Sequence, residues 1–274
     1  MNKTLALTLL ALTGLASAET KITVKGSDTM VILAQKWAET YMAANSGTTI
    51  QVTGGGTGTG VAALQNNTTD LCNASRPLKS TEVLNCIKAF GKKPNEHKVA
   101  LDGLAVYVNA SSPVKELSLA QLSEIFTGKV TNWKDVGGND APIVLYSREN
   151  SSGTYEFFKE HVLSGKDFAA GAQTMPGTAA VLQAVAKDPN GIGYGGAAYG
   201  AGAKHLLIKK DAASPGVEPT EATVQAGTYP IWRHLFIYVN PAIDKDATGA
   251  YLTWIKSEAG QKVVKDVGYF PLPK

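Results

Sequence analysis

Hydrophobic positions in the N-terminal third of the chain alternate between the period of a strand and that of a helix. Residues 21–26 carry an apolar side chain at every second position, which predicts a strand. Residues 30–41 then place apolar side chains three and four positions apart, on one face of a helix. Residues 49–53 alternate again, and a short helix begins near Val61. This order predicts βαβ units and a largely parallel sheet, and therefore an α/β fold.

The same alternation continues to the C-terminus. Strand-like runs occupy residues 104–109, 143–146 and 235–240. Helical periods follow a capping-box sequence at Ser118, follow the turn at 151–154, and recur at 181–185 and 251–263. No low-complexity linker or repeat divides the chain. If two domains are present, we therefore expect the chain to cross between them more than once.

Composition and charge exclude several classes of protein. Of 274 residues, 44% are hydrophobic and 18% are charged, which is typical of a globular protein. The 26 basic and 23 acidic residues give a net charge of +3, too small an excess for a dedicated nucleic-acid binder. The 28 glycines show no three-residue period, which excludes a collagen. The length suits one large domain or two medium ones.

The first 18 residues have the pattern of a secretory signal peptide. Lys3 precedes an apolar run over residues 5–15 that is too short to span a bilayer, and Ala16–Ala18 is a small-residue cleavage site. Cleavage there would leave 274 − 18 = 256 residues. No cysteine lies at the cleavage point, so we expect a periplasmic protein without a lipid anchor. The alternative is an N-terminal core helix.

Cys72 and Cys86 are the only two cysteines, with 13 residues between them. An even number of cysteines in an exported protein predicts a disulfide, and a loop of this size would contribute about 3 kcal/mol. A metal site would need more ligands, and the four histidines are scattered along the chain. We therefore expect no metal and no cofactor.

Three turns rich in glycine and hydroxyl residues, at residues 26–29, 54–60 and 151–154, each precede a helical period. The first N–H groups of a helix are unpaired and lie at the positive end of its dipole, so they bind anions. Three such turns, if they converge, predict a site for a compact tetrahedral oxyanion. The alternative is that Ser27 and Thr154 are ordinary helix caps.

Two arginines lie beside these turns. Arg148 ends a strand-like run four residues before Ser152, and Arg76 precedes Pro77. A guanidinium matches two oxygens of phosphate or carboxylate, and a strand end followed by a loop and a helix is where open α/β sheets bind ligands. The glycine run at 54–60 matches neither nucleotide fingerprint, and no nucleophile with an evident base is present. The pattern therefore favours binding over catalysis.

In their order along the chain, these motifs resemble the periplasmic phosphate-binding proteins of phosphate ABC transporters. The resemblance covers nearly the whole mature chain and is most specific where an Asn-Trp pair, a Gly-Gly pair, Ser-Arg and Ser-Gly-Thr follow in succession. The matching segments are Gly26–Met30, Lys36–Ala38, Gly54–Gly60, Asn73–Arg76, Phe126–Gly128, Asn132–Trp133, Gly137–Gly138, Ser147–Arg148, Ser152–Thr154, Gly191–Tyr194 and Gly268–Pro271.

The resemblance implies a two-lobed type II periplasmic binding protein fold with the ligand in the cleft between the lobes. The first lobe would span residues 19–102 plus 231–274, and the second residues 103–230. It also implies a monomeric, non-enzymatic protein that binds inorganic phosphate, interacts with a membrane permease and binds no nucleic acid. The implied ligand residues are Ser27, Asp28, Thr29 and Thr57, with Ser75 and Arg76 nearby, in the first lobe, and Arg148, Ser152, Gly153 and Thr154 in the second.

Two positions depart from the family pattern. A branch of the family has an aspartate where Arg76 stands, and that aspartate accepts the proton of hydrogen phosphate. In this chain Asp28 could accept it instead, because an ionised carboxylate only accepts hydrogen bonds. Asn150 stands where many members have an aspartate, and only Glu149 is acidic nearby. Sulfate, molybdate or a phosphonate therefore remain alternative ligands, and an exported phosphatase is the alternative activity.

Overall fold

The computed structural model describes residues 20–200, 203–243 and 246–273, so the predicted signal peptide lies outside the described residues. The strands are β1 (Thr20–Gly26), β2 (Thr48–Thr53), β3 (Leu71–Ala74), β4 (Asn95–Val108), β5 (Glu116–Ser118), β6 (Val144–Arg148), β7 (Gln173–Met175), β8 (Gly191–Gly196), β9 (Lys204–His205), β10 (Leu207–Lys209) and β11 (Trp232–Val239). The helices are α1 (Val31–Ala44), α2 (Thr57–Gln65), α3 (Ser80–Phe90), α4 (Leu119–Phe126), α5 (Gly153–His161), α6 (Thr178–Lys187), α7 (Glu221–Gln225), α8 (Asp246–Lys256) and α9 (Glu258–Val267).

The predicted elements are present, with three differences in extent. α2 begins at Thr57 rather than near Val61, because Gly56 adopts a φ of 90° and leads the glycine-rich turn directly into the helix. The predicted C-terminal helix is two helices, and α9 begins after Ser257, whose side chain caps it by accepting the N–H of Gly260. The third difference is β4, which begins at Asn95, whereas the sequence predicts a strand only from residue 104 onward.

The main sheet has the strand order β2-β1-β3-β11-β4-β8-β6-β7, and β9 pairs with β4. β1 is parallel to β2 and β3, and β6 is parallel to β7 and β8, as the βαβ pattern predicts. β11 and β4 lie antiparallel to their neighbours in the middle of the sheet. β5 and β10 form a separate parallel pair.

β4 joins two lobes. Its residues 95–103 pair with β11, and from Leu104 onward it pairs with β8. We call the lobe that contains β1–β3 and β11 with α1–α3, α8 and α9 the first lobe. The lobe that contains β6–β9 with α4–α7 is the second lobe. The chain thus passes from the first lobe to the second along β4 and returns at β11.

Each lobe has its own hydrophobic core. In the first lobe Trp37 is fully buried against α8 and α9, and its indole N–H donates to the carbonyl of Gly260 at 2.8 Å. In the second lobe Phe126, Phe158 and Tyr194 pack with ring centroids 4.1–5.6 Å apart. These aromatic contacts pack α1 against α9 in the first lobe, and α4 and α5 against β8 in the second.

The predicted disulfide is wrong, because Cys72 and Cys86 are free thiols. Both are buried in one small cluster on the outer side of β3. Burial raises the pKa of the Cys72 thiol strongly, and burial also raises the pKa of Cys86. Because oxidation proceeds through the thiolate, such thiols behave as small apolar core residues.

Candidate functional site

The glycine-rich turns of the two lobes touch each other at the junction between them. The N–H of Gly58, in the first turn of α2, donates to the carbonyl of Ser151 at 2.9 Å. A Cβ atom built on Gly56 would lie 2.5 Å from the same carbonyl oxygen, so only glycine fits there. The turn at 54–60 and the turn at 151–154 therefore meet, as the site hypothesis requires.

Buried hydroxyl groups from both lobes gather beside this contact. The Oγ1 atoms of Thr29 and Thr154 lie 2.6 Å apart. The Oγ1 of Thr57 lies 3.4 Å from the Oγ of Ser75 and accepts the N–H of Ser75 at 3.1 Å. Gly153 lies between the two pairs, because a Cβ there would collide with the hydroxyls of Thr57 and Ser75. Five of the predicted ligand residues thus form one cluster.

Two helices begin at this cluster. α2 begins at Thr57 in the first lobe, and α5 begins at Gly153 in the second. The alternative that Ser27 and Thr154 are ordinary helix caps is wrong, and the residue that caps α5 is Ser152, whose hydroxyl accepts the N–H of Tyr155. Ser27 makes no capping bond, and Thr154 lies inside the first turn of α5. The two helix starts provide the partial positive charge that favours an anion.

Arg148 lies at the same junction between the lobes, and its side chain is only 1% exposed. Its Nη2 donates to Asp28 at 2.9 Å and to Glu149 at 2.8 Å, and its Nη1 donates to Thr178 at 2.9 Å. The other oxygen of Asp28 accepts the N–H of Gly55 at 2.8 Å. Because Asp28 belongs to the first lobe, the Arg148–Asp28 ion pair joins the lobes.

The guanidinium of Arg148 also changes the pKa of Glu149. Burial alone would raise its pKa, but the hydrogen bond and the charge of Arg148 outweigh burial and lower the pKa. A depression of about 470 Å³ opens beside these groups to the surface, and it is lined by Asp28, Gly55, Glu149, Ser151, Thr174, Pro176 and Gly177. Asp28 and Glu149, which line this opening, are the two carboxylates that pair with Arg148.

Arg76 is the one predicted residue whose charged group turns away from the cluster. Its Nη1 and Nη2 both donate to Glu82 at 2.8 Å, and Nη1 also donates to the carbonyl of Pro77. Burial would lower the pKa of Arg76, but the hydrogen bond and charge of Glu82 raise it. The same pair lowers the pKa of Glu82 against the effect of burial. Arg76 therefore stabilises the start of α3, while its neighbour Ser75 stays in the cluster.

Arg233 and Asp102 belong to the cluster and were missed by sequence reasoning. Arg233 donates to Thr154 Oγ1 at 3.0 Å and to the carbonyl of Ser75 at 3.1 Å, and it pairs with Asp102 at 2.8 Å. Both side chains are at most 2% exposed. The sequence did contain a signal for this pair. Asp102 lies two residues before the strand run that begins at Leu104, and Arg233 lies two residues before the run that begins at Leu235.

Comparisons with known proteins agree with this arrangement. A sequence profile of the PBP superfamily domain matches residues 13–259. The phosphate-binding protein PstS of Pseudomonas aeruginosa is 36% identical over 264 residues, covering 90% of this chain and 82% of its own. The PstS of Bacillus subtilis is 34% identical, covering 94% of this chain and 83% of its own. This chain belongs to the PstS family within the PBP superfamily.

Solved structures of the family share the fold. A substrate-binding protein assigned to a phosphate ABC transporter of Clostridium perfringens, crystallised with bound phosphate, superimposes with a TM-score of 0.85 at 27% identity. The alignment covers 93% of this chain and all of that one. An ABC-type phosphate transport receptor from Vibrio cholerae gives a TM-score of 0.73 at 28% identity, covering 92% of this chain and all of its own. The predicted two-lobed type II α/β fold is confirmed.

The relatives are named as binding proteins rather than enzymes. Within residues 20–200, 203–243 and 246–273, no group of three or more histidine, cysteine or acidic side chains could hold a metal ion. No helix in that same part of the PstS-family chain is long and apolar enough to cross a membrane.

Proposed function

We propose that this protein binds inorganic phosphate between its two lobes outside the cytoplasm and delivers it to the permease of an ABC transporter. The observation that supports this most directly is the junction between the lobes, where hydroxyls and helix starts of both lobes contact each other and Arg148 pairs with Asp28 across the lobes. Family membership supports the same ligand, because the named relatives are phosphate-binding proteins.

The proposed ligand shell draws on both lobes, which we divide at the predicted boundaries, 19–102 plus 231–274 and 103–230. The first lobe contributes Ser27, Asp28, Thr29, Thr57 and Ser75. The second contributes Arg148, Ser152, Gly153 and Thr154. We leave Arg76 out of the shell, because Glu82 of its own lobe holds both ends of its guanidinium.

The donors of this shell suit an anion that has lost its water. Removing a phosphate dianion from water is costly unless its oxygens receive hydrogen bonds, and charge-assisted bonds in a buried site are the strongest ones available. The hydroxyl pairs Thr29–Thr154 and Thr57–Ser75 would exchange their mutual hydrogen bonds for bonds to the ligand. Because the shell is complete only when the lobes meet, the ligand stabilises the closed form.

Asp28 is the proposed acceptor for the proton of hydrogen phosphate. Its two oxygens already accept from Gly55 and Arg148, and each carboxylate oxygen has a second lone pair. An ionised Asp28 would repel sulfate, which has no proton to donate at neutral pH. The protein would thus prefer phosphate to sulfate or molybdate. A phosphonate keeps a proton but lacks one of the oxygens that accept hydrogen bonds, so it would bind more weakly than phosphate.

The remaining parts of the proposal concern where the protein works and with what partner. Cleavage after Ala18 would release a periplasmic chain without a lipid anchor. We propose that the chain acts as a monomer, and that the permease recognises the closed form. No cofactor enters this scheme, and no reaction is catalysed.

Calorimetric titration of the purified mature chain tests the function. We expect phosphate to bind with a dissociation constant of about 1 μM or tighter, which corresponds to about −8 kcal/mol. Sulfate, molybdate and methylphosphonate should bind far more weakly. A protein that binds none of these anions, or that prefers another of them, would contradict the proposal. Release of product from a chromogenic phosphate ester would favour the phosphatase instead.

A further inference from the structure

A buried ion pair lies at the place where the chain passes from one lobe to the other. Arg233 of β11 stands directly opposite Asp102 of β4 in the strand register. Gly103 follows, and from Leu104 onward β4 pairs with the strands of the second lobe. Rotation of the lobes about this crossing would therefore act directly on the Arg233–Asp102 pair.

The guanidinium of Arg233 has partners in both lobes. In the first lobe, Nε and Nη2 donate to Asp102 at 3.0 and 2.8 Å, and Nη1 donates to the carbonyl of Ser75 at 3.1 Å. In the second lobe, Nη2 donates to Thr154 Oγ1 at 3.0 Å, and the group lies 5.2 Å from the ring centroid of Phe157. Both second-lobe contacts belong to α5. One side chain thus links the crossing strands to a site residue of each lobe.

The contact with Arg233 makes the Thr154 hydroxyl oxygen a hydrogen-bond acceptor. A hydroxyl has one hydrogen to donate, and Arg233 can only donate. The Thr154 oxygen therefore accepts from Arg233, and its own hydrogen remains available for another group. Its neighbour Thr29 lies 2.6 Å away, and either hydroxyl of that pair can donate to the other. A hydroxyl that accepts a charge-assisted bond is polarised and donates more strongly.

Asp102 limits what Arg233 contributes. Its carboxylate is fully buried, and its other oxygen accepts the N–H of Ala197 at 3.2 Å. Because Asp102 balances the positive charge of Arg233, the pair adds little net charge to the cluster. The contribution of Arg233 is therefore orientation, in contrast to Arg148, which lies beside the opening of the site.

We infer that Arg233 is a positioning residue that couples closure of the lobes to ligand binding. Anchored by Asp102, it holds Thr154 so that the hydroxyl donates toward the ligand, and its contacts with α5 stabilise the closed form. The identity of the ligand rests on the proposed function, whereas the coupling to closure does not.

A mutant cycle between Arg233 and Thr154 tests the coupling to the ligand. We expect Arg233→Met and Thr154→Ala each to weaken phosphate binding about tenfold or more in calorimetric titrations. The double variant should bind no more than about twofold more weakly than the poorer single variant, because both changes remove the same oriented hydroxyl. Fully additive losses would overturn the assignment.

Two further variants separate positioning from damage to the fold. Arg233→Lys keeps the charge beside Asp102 but loses the planar fork, so we expect it to melt near the wild-type temperature yet to bind phosphate about tenfold more weakly. Tyr229→Phe removes a hydroxyl that donates to the Leu104 carbonyl at the same crossing, 2.8 Å away, without touching Ser75 or Thr154. Its affinity should stay within about twofold of wild type. Full affinity in Arg233→Lys, or an equal loss in Tyr229→Phe, would contradict the role of Arg233.

Small-angle scattering of the ligand-free proteins tests closure without reference to any ligand. We expect Arg233→Met to have a larger radius of gyration than wild type and than Tyr229→Phe, because the contacts that join β11 to α5 are gone. Identical scattering curves would overturn the coupling to closure. If wild type failed to bind phosphate, the proposed function would fall, and this measurement would still decide the role of Arg233.

Discussion

Arg148 and Arg76 are both buried, both lie at or just after the end of a strand, and both contact a carboxylate, yet their partners differ in origin. Arg76 places both ends of its guanidinium on Glu82, six residues later in the same lobe. Arg148 divides its donors between Asp28 of the first lobe and Glu149 and Thr178 of the second. Separation of the lobes would leave the Arg76 pair intact and would break the Arg148–Asp28 pair.

This difference supports the proposal that Arg148 binds the ligand and that Arg76 has a structural role. A bidentate pair within one lobe keeps both of its hydrogen bonds when the lobes move, so it is not expected to exchange its partner for a solute. In the proposed function, a guanidinium shared between lobes, beside an opening to the surface, gains a phosphate oxygen as a further acceptor when the lobes close. Burial and charge are alike in the two arginines, so the distinction rests on whether the hydrogen-bond partners of the guanidinium come from one lobe or from both.

Removal of the Arg148 guanidinium should produce the largest change in binding. We expect Arg148→Ala to weaken phosphate binding at least about a hundredfold, near 3 kcal/mol, because the buried anion loses its main charge-assisted donor. Calorimetric titration measures the loss, and Arg148→Lys serves as the matched control that keeps the charge without the fork. Unchanged affinity in Arg148→Ala would remove this residue from the site.

Arg76→Met should change stability rather than binding. The substitution leaves the Glu82 carboxylate, 17% exposed, without its partner, and we expect a loss of about 2 kcal/mol in the free energy of unfolding. Urea denaturation measures this loss. Phosphate affinity, determined on the same preparation well below the melting temperature, should stay at the wild-type value. A large loss of affinity would return Arg76 to the ligand shell.

Asp28→Asn should change selectivity more than affinity. An amide can donate a hydrogen bond where the carboxylate only accepts, so the site would no longer disfavour an anion without a proton. We expect the preference for phosphate over sulfate to fall about tenfold, or about 1.4 kcal/mol. Competition titrations of both proteins measure the ratio. An unchanged ratio would mean that another group accepts the ligand proton.

The smallest expected effect concerns acid stability near Arg148. Burial would raise the pKa of Glu149, but Arg148 lowers it below the ordinary value of 4.5. Ionised Glu149 therefore stabilises the folded state fully above about pH 4.5, and this contribution disappears as the pH falls through the lower folded pKa. Glu149→Gln should lose stability at pH 7 by less than about 1 kcal/mol, and the difference from wild type should shrink in acid. Chemical denaturation across this pH range measures it, and a constant difference would contradict the assignment.

Local patterns predicted most of the fold because they act over a few residues. The alternation at 21–26 and the helical spacing at 30–41 correspond to β1 and α1 within a few residues. The first half of β4 was not predicted, since Glu96, Lys98 and Asp102 interrupt its apolar pattern. A charge is tolerated at Asp102 only because Arg233 lies opposite it, and this contact is absent from the local sequence.

The sequence by itself determined that glycine and hydroxyl residues precede three helices and that Arg148 ends a strand, because turns and helix starts depend on neighbouring residues. Only the tertiary structure decided which partner each buried charge and thiol would have. Arg233 and Asp102 are 131 residues apart, whereas Arg76 finds Glu82 six residues away, and the two cysteines share a cluster without bonding. Folding across such distances is driven by burial of whole surfaces, so a guanidinium takes the carboxylate that the packed lobes place beside it.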